Sequence, residues 1–190
     1  VEEEKPVKPK IIVLDPGHGG KDPGAISNLG IYEKNVVSLA AVEFKRQLEQ
    51  TGEYKVYLTR TSDKFLSLGE RIMCGRQLSL LDKNCEDAQH ADAFISIHAD
   101  SLPKKSSKRN NIQGLSVYTL SEKATSVEAE RLAERENAAD LIEMTGFEKY
   151  NKTEQMIFAD LVQTKSKEES VKMADNIVKE IDKTKGIELV

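Results

Sequence analysis

Three residues of this 190-residue chain are of a type and placement that could hold a metal ion: His18, Glu33 and His98. His18 lies in Asp15-Pro16-Gly17-His18-Gly19-Gly20, directly after the apolar run Ile11-Ile12-Val13-Leu14. The flanking glycines leave its imidazole uncrowded and allow close approach, at an entropic cost that points to a functional use. Glu33 follows fifteen positions later, and His98 comes at the end of a second apolar run beginning at Phe94. Two imidazoles and one carboxylate from separate strand or helix ends make a three-ligand zinc set with an open fourth position, as catalytic sites require. Taken alone, Glu33 has a simpler reading, a carboxylate set against the positive end of a helix dipole. The third histidine, His90, reads as an ordinary surface or core residue.

The elements that must position these groups are legible from periodicity and turn residues. Residues 11–14 predict a buried strand opening into a Pro/Gly-rich loop, and 32–49 a helix with Val36, Leu39, Ala40, Val42, Phe44 and Leu48 on its apolar face. Strands are predicted at 54–59, 93–98 and 114–120, and helices from near Leu68, over 126–142 and over 166–183. Alternating strands and helices point to an α/β domain, a twisted, mostly parallel sheet flanked by helices. In such sheets ligands gather at the carboxyl ends of strands, where both His18 and His98 fall.

Composition sets the outer bounds. Charged residues make up 32% of the chain and hydrophobic ones 38%, with a formal net charge of −4, a balance that argues against a nucleic-acid binder. No apolar run is long enough to span a bilayer. Residues 1–10 (VEEEKPVKPK) have linker composition. Cys74 and Cys85 could close a small disulfide loop or remain two buried thiols, and spacing does not choose between them. Lys104, Lys105, Lys108 and Arg109, just past His98, read first as a solvated loop.

The stretches LDPGHGGKDPGA (14–25), YEKN around Glu33, LTR (58–60), ERI (70–72), ISIHAD (95–100) and GLSVYTLS (114–121) together resemble the zinc-dependent N-acetylmuramoyl-L-alanine amidases of the type-3 cell-wall group. The likeness runs from about Lys10 to the chain end. It includes ATSVEAERLAERENAADLI (124–142), similar to an insertion of the division-associated, autoinhibited subgroup. The resemblance implies His18, Glu33 and His98 as zinc ligands in an amidase domain over 11–190, with about six strands and a regulatory insertion at about 122–165. It implies hydrolysis of the amide joining N-acetylmuramic acid to the L-alanine of the peptidoglycan stem peptide, in cell-wall remodelling and daughter-cell separation. It further implies a helix that rests a glutamate on the zinc until a protein activator withdraws it. Glu136 is the favoured glutamate, with Glu134 and Glu130 as alternatives; composition alone reads these residues as a solvated helix face. Because peptidoglycan lies outside the cytoplasmic membrane, a periplasmic or extracytoplasmic location is expected, with an export signal ahead of Val1.

One departure concerns the general base, which the family carries on a final strand patterned V-L-V-E-x-G-F. Residues 186–190 stop short of that pattern, so the domain is expected to lack the strand. Glu143, in Leu141-Ile142-Glu143-Met144-Thr145-Gly146-Phe147, is the internal candidate, with one residue too many before its glycine. Zinc binding with negligible hydrolysis is therefore expected of this chain. A second departure is the longer segment between Arg71 and Ala91, expected to be a surface elaboration without chemistry. Two other functions remain open on the residues: a zinc carboxypeptidase-like enzyme acting on stem peptides, and a peptidoglycan-binding module without catalysis.

Overall fold

A computed structural model describes residues 8–82, 90–99, 114–119, 130, 134 and 164–184. The chain divides into two compact units, Val1–Ser101 and Leu102–Val190.

The first unit is built on a parallel sheet in the order β2-β1-β3, formed by β1 (Lys10–Pro16), β2 (Tyr54–Leu58) and β3 (Ala93–Ile97). The central strand β1 is buried from Ile11 onward, which explains its unbroken apolar run: a strand covered on both faces has no solvent side to alternate with. Ile12, Leu14 and Val56 pack on one face with Leu48 of helix α1 (Glu33–Gln50). Ile11, Val13 and Leu78 pack on the other, beside helix α2 (Leu68–Arg76) and the short 3-10 turn Leu78–Leu80. Each such fully buried aliphatic side chain contributes about 1.5–3 kcal/mol.

Two expectations need correction here. On α1 the buried residues are Glu33, Val37 and Ala41, one line at i, i+4 and i+8, whereas Val36, Leu39 and Val42 are exposed. Segment 71–91 is no mere surface elaboration, because Cys74 and Leu78 are buried and Leu78 joins the core under β1. Cys74 is a free thiol, and Cys85 lies outside the described residues.

Helix α2 begins where a capping box sets it. The Ser67 hydroxyl accepts from the Glu70 backbone N–H, and the Glu70 carboxylate accepts from the Ser67 backbone N–H. In the second unit, helix α3 (Thr164–Asp182) carries a half-buried stripe of Ala174, Ile177, Val178 and Ile181 at helical spacing. The predicted strand at 114–120 is irregular over 116–119, with one bridge at Leu115. Among the described residues no helix is long and apolar enough to cross a membrane.

Candidate metal centre

Register places the two histidines side by side. Pro16 of β1 pairs with Ile97 of β3, so His98 leaves its strand immediately beyond that pair and His18 two residues beyond it, at the same end of the sheet. Glu33 arrives from α1, whose start is held by the loop before it: the Glu33 and Lys34 backbone N–H groups donate to the carbonyls of Ala25 and Pro23. The Glu33 side chain returns the contact, its Oε2 accepting from the Ala25 N–H at 2.8 Å while Oε1 accepts from the Ala99 N–H at 2.7 Å. A carboxylate only 2% exposed is thus stitched to both loops that carry the histidines.

The three side chains converge. His18 Nε2 lies 3.1 Å and His98 Nδ1 3.2 Å from Glu33 Oε1, and the two nitrogens are 3.2 Å apart. Ligand atoms held tetrahedrally at ~2.0–2.1 Å from zinc are about 3.3–3.4 Å from one another, so this triangle fits a zinc-sized ion with little adjustment. Among the described residues it is the one cluster of three or more His, Cys, Asp or Glu groups with that capacity.

Electrostatics favour a cation at the same point. Burial alone would lower the pKa of His18. The hydrogen bonds and charges of Glu33 and Asp22 outweigh that and push it up to about 9. Burial would likewise raise Glu33, but bonds from His18, His98 and the Ala25 and Ala99 N–H groups hold it well below the usual carboxylate range. Near neutral pH the metal-free centre therefore keeps a proton between His18 and Glu33, the position a metal ion would take over.

Several groups that sequence reasoning left without a role build the surroundings. Asp22 Oδ2 lies 2.8 Å from His18 Nδ1, and its Oδ1 accepts from the Gly24 N–H at 3.0 Å. A carboxylate on the second ring nitrogen fixes tautomer and orientation in metal-binding histidines. Gly24 has φ +66°, and a β-carbon there would fall 2.5 Å from His18 Cδ2 and 2.8 Å from Glu33 Oε2. Arg60 and Arg71 are both buried, and burial beside Arg71 pushes the Arg60 guanidinium below its usual pKa. Both donate to main-chain carbonyls of residues 16–18. The LTR and ERI stretches were the available signal for these arginines, and KDPGA the signal for Asp22.

His90 is exposed, with Nδ1 2.7 Å from the Arg76 carbonyl. Glu130 and Glu134 are helical and exposed. Glu136, Glu143 and the basic residues 104–109 lie outside the described residues.

Fold and site define an α/β domain with a His/Glu/His donor set at the carboxyl ends of parallel strands. The sequence model of the type-3 N-acetylmuramoyl-L-alanine amidases matches residues 12–188, and the chain belongs to that family. It is 39% identical over 175 residues to the N-acetylmuramoyl-L-alanine amidase AmiC of Neisseria meningitidis, covering 90% of this chain and 37% of that protein. It is 36% identical over 175 residues to AmiA of Escherichia coli, covering 90% of this chain and 54% of the other. Against these relatives the chain thus spans roughly a third to a half of the full length. A probable cell wall amidase, LytH of Staphylococcus epidermidis, is 39% identical over 124 residues, 64% of this chain and 35% of that one. Among solved structures, the catalytic domain of CwlV, an N-acetylmuramoyl-L-alanine amidase of Bacillus (Paenibacillus) polymyxa, aligns at 35% identity with a TM-score of 0.41, over 49% of this chain and 46% of that one.

Proposed function

We propose that this chain is a zinc-dependent amidase that hydrolyses the bond between the lactyl group of N-acetylmuramic acid and the L-alanine of the peptidoglycan stem peptide. Family membership supports the reaction class, and the observation that carries the metal reading is the convergence of His18 Nε2, His98 Nδ1 and Glu33 Oε1 within 3.1–3.2 Å. Held by His18, Glu33 and His98, a zinc ion would supply a Lewis acid for the scissile carbonyl and would lower the pKa of water toward ~7. The chain's own residues set the stage for it. Glu33 holds the two histidine loops together through Ala25 and Ala99, and Asp22 keeps the His18 Nδ1 proton so that Nε2 presents its lone pair. Glu143 is the candidate for moving the proton from water to the leaving amine, and E143Q measures its part.

The reading extends to regulation. Residues at about 122–165 form the regulatory insertion of a domain spanning 11–190, with Glu136, or else Glu134 or Glu130, closing the open ligand position. A protein activator then shifts the balance by binding the withdrawn helix. The substrate puts the enzyme in an extracytoplasmic compartment, at sites of wall cleavage during division.

Purified peptidoglycan incubated with the zinc-loaded full-length protein, followed by product analysis, tests the activity, and robust turnover by residues 1–190 alone would promote Glu143 as the proton carrier. Free lactyl-muramic acid ends with intact stem peptides are expected. Release of single amino acids would mark a carboxypeptidase instead, and undigested wall that nonetheless retains the protein would mark a binding module.

A further inference from the structure

The loop that carries His18 is held in a conformation its backbone does not favour. His18 is the one described non-glycine residue with a left-handed backbone, at φ +59°, a region that β-carbon-bearing residues avoid. Buried groups hold it there. Arg71 Nη2 donates to the His18 carbonyl at 2.7 Å, Nη1 to the Pro16 carbonyl at 3.1 Å, and Nε to the Leu66 carbonyl at 3.0 Å. The same Nη1 meets Asp15 Oδ1 at 2.8 Å. Asp15, 2% exposed, also accepts from the Thr59 hydroxyl at 2.6 Å and the Ser96 hydroxyl at 2.8 Å, so β3 and the residue that follows β2 fix its position.

We propose that the Asp15/Arg71 pair is a positioning device for the metal centre: it grips the His18 carbonyl and so turns the imidazole toward Glu33 and His98. The inference rests on the metal reading above. Its chemistry is specific to a guanidinium, whose rigid planar fork serves four acceptors in fixed directions. A lysine ammonium, a single point on a flexible stem, cannot. A neutral core residue at 71 would leave both the Asp15 charge and the His18 carbonyl without this partner.

The test compares zinc affinity, by chelator competition, with thermal stability in the full chain. Wild type and three variants are used: Arg71→Lys, Thr59→Val and, as a control for general destabilisation, Leu78→Ala. Leu78 is fully buried and packs against Ile11 and Val13. Arg71→Lys should bind zinc at least tenfold more weakly, and its cobalt(II) form should lose visible absorption of four-coordinate type. Leu78→Ala should lose thermal stability with zinc affinity within twofold of wild type. Thr59→Val, nearly isosteric, removes one anchor of Asp15 and should weaken zinc about threefold; it decides the matter if Arg71→Lys does not fold. The proposal is overturned if a folded Arg71→Lys, or failing that Thr59→Val, binds zinc within twofold of wild type. It is equally overturned if Leu78→Ala weakens zinc as much as the variants at the clamp. Wild type that binds no zinc would overturn the metal reading itself, and the inference with it.

Discussion

Replacing Gly17 by alanine isolates the geometry of the metal centre from backbone strain. Gly17 is not among the residues with positive φ, so alanine carries no conformational penalty there. Its β-carbon, however, would stand 2.6 Å from His98 Nε2 and 2.9 Å from Nδ1, with Cε1 closer still. The backbone cannot yield easily, because the Gly17 carbonyl accepts from Arg60 Nη2 at 2.7 Å and its N–H donates to the Ile97 carbonyl at 3.1 Å. The imidazole must therefore retreat by about 1 Å to regain normal contact distance. Metal–ligand distances tolerate only about ±0.2 Å, so His98 is lost as a ligand. We expect zinc affinity to fall about 100-fold, equivalent to about 2.8 kcal/mol at 1.4 kcal/mol per tenfold change. His98 is partly exposed and can swing outward, so the metal-free variant should melt close to wild type. Chelator competition and thermal melting with chelator present read the two quantities. Zinc affinity within threefold of wild type would refute the reasoning.

Three further outcomes follow from the same geometry, and a fourth from the regulatory reading. Asp22→Asn, which offers His18 Nδ1 and the Gly24 N–H only one carbonyl oxygen between them, should weaken zinc about 10–100-fold as measured by chelator competition. In the metal-free protein the raised pKa of His18 contributes stability that is fully present below the unfolded value of 6.5 and lost as pH rises through about 9, as denaturant unfolding should record. Zinc must displace that same proton, so its apparent affinity should rise about tenfold per pH unit between 7 and 8, and a pH-independent affinity would contradict the assignment. In a full-length version of the protein, Glu136→Lys should raise basal hydrolysis of peptidoglycan; unchanged activity would count against that glutamate as the occluding one.

How far the sequence revealed this arrangement depended on which partners each residue has. The strands and the placement of His18 and His98 were legible because apolar runs ending in Gly, Pro or His record burial locally. The buried face of α1 was not. Hydropathy places a glutamate outside, yet Glu33 is drawn inward by four hydrogen-bonding partners and fixes the helix's rotation, carrying Val37 and Ala41 into the core in place of Val36 and Leu39. Arg60 and Arg71 were hidden for a related reason. Their acceptors are main-chain carbonyls some forty to fifty positions earlier, and no local pattern encodes such a pairing. Leu78 reaches the core from the short 3-10 turn after α2, where no helical or alternating pattern marks it as buried, so the segment reads as surface elaboration.

The central claim is that His18, Glu33 and His98 hold one zinc ion. Metal analysis with X-ray absorption of the zinc-loaded chain tests it most directly. One zinc per chain is predicted, with only nitrogen and oxygen neighbours at about 2.0–2.2 Å, and its loss in His18→Ala. A stoichiometry that survives His18→Ala, or a sulfur neighbour at about 2.3 Å, would contradict it.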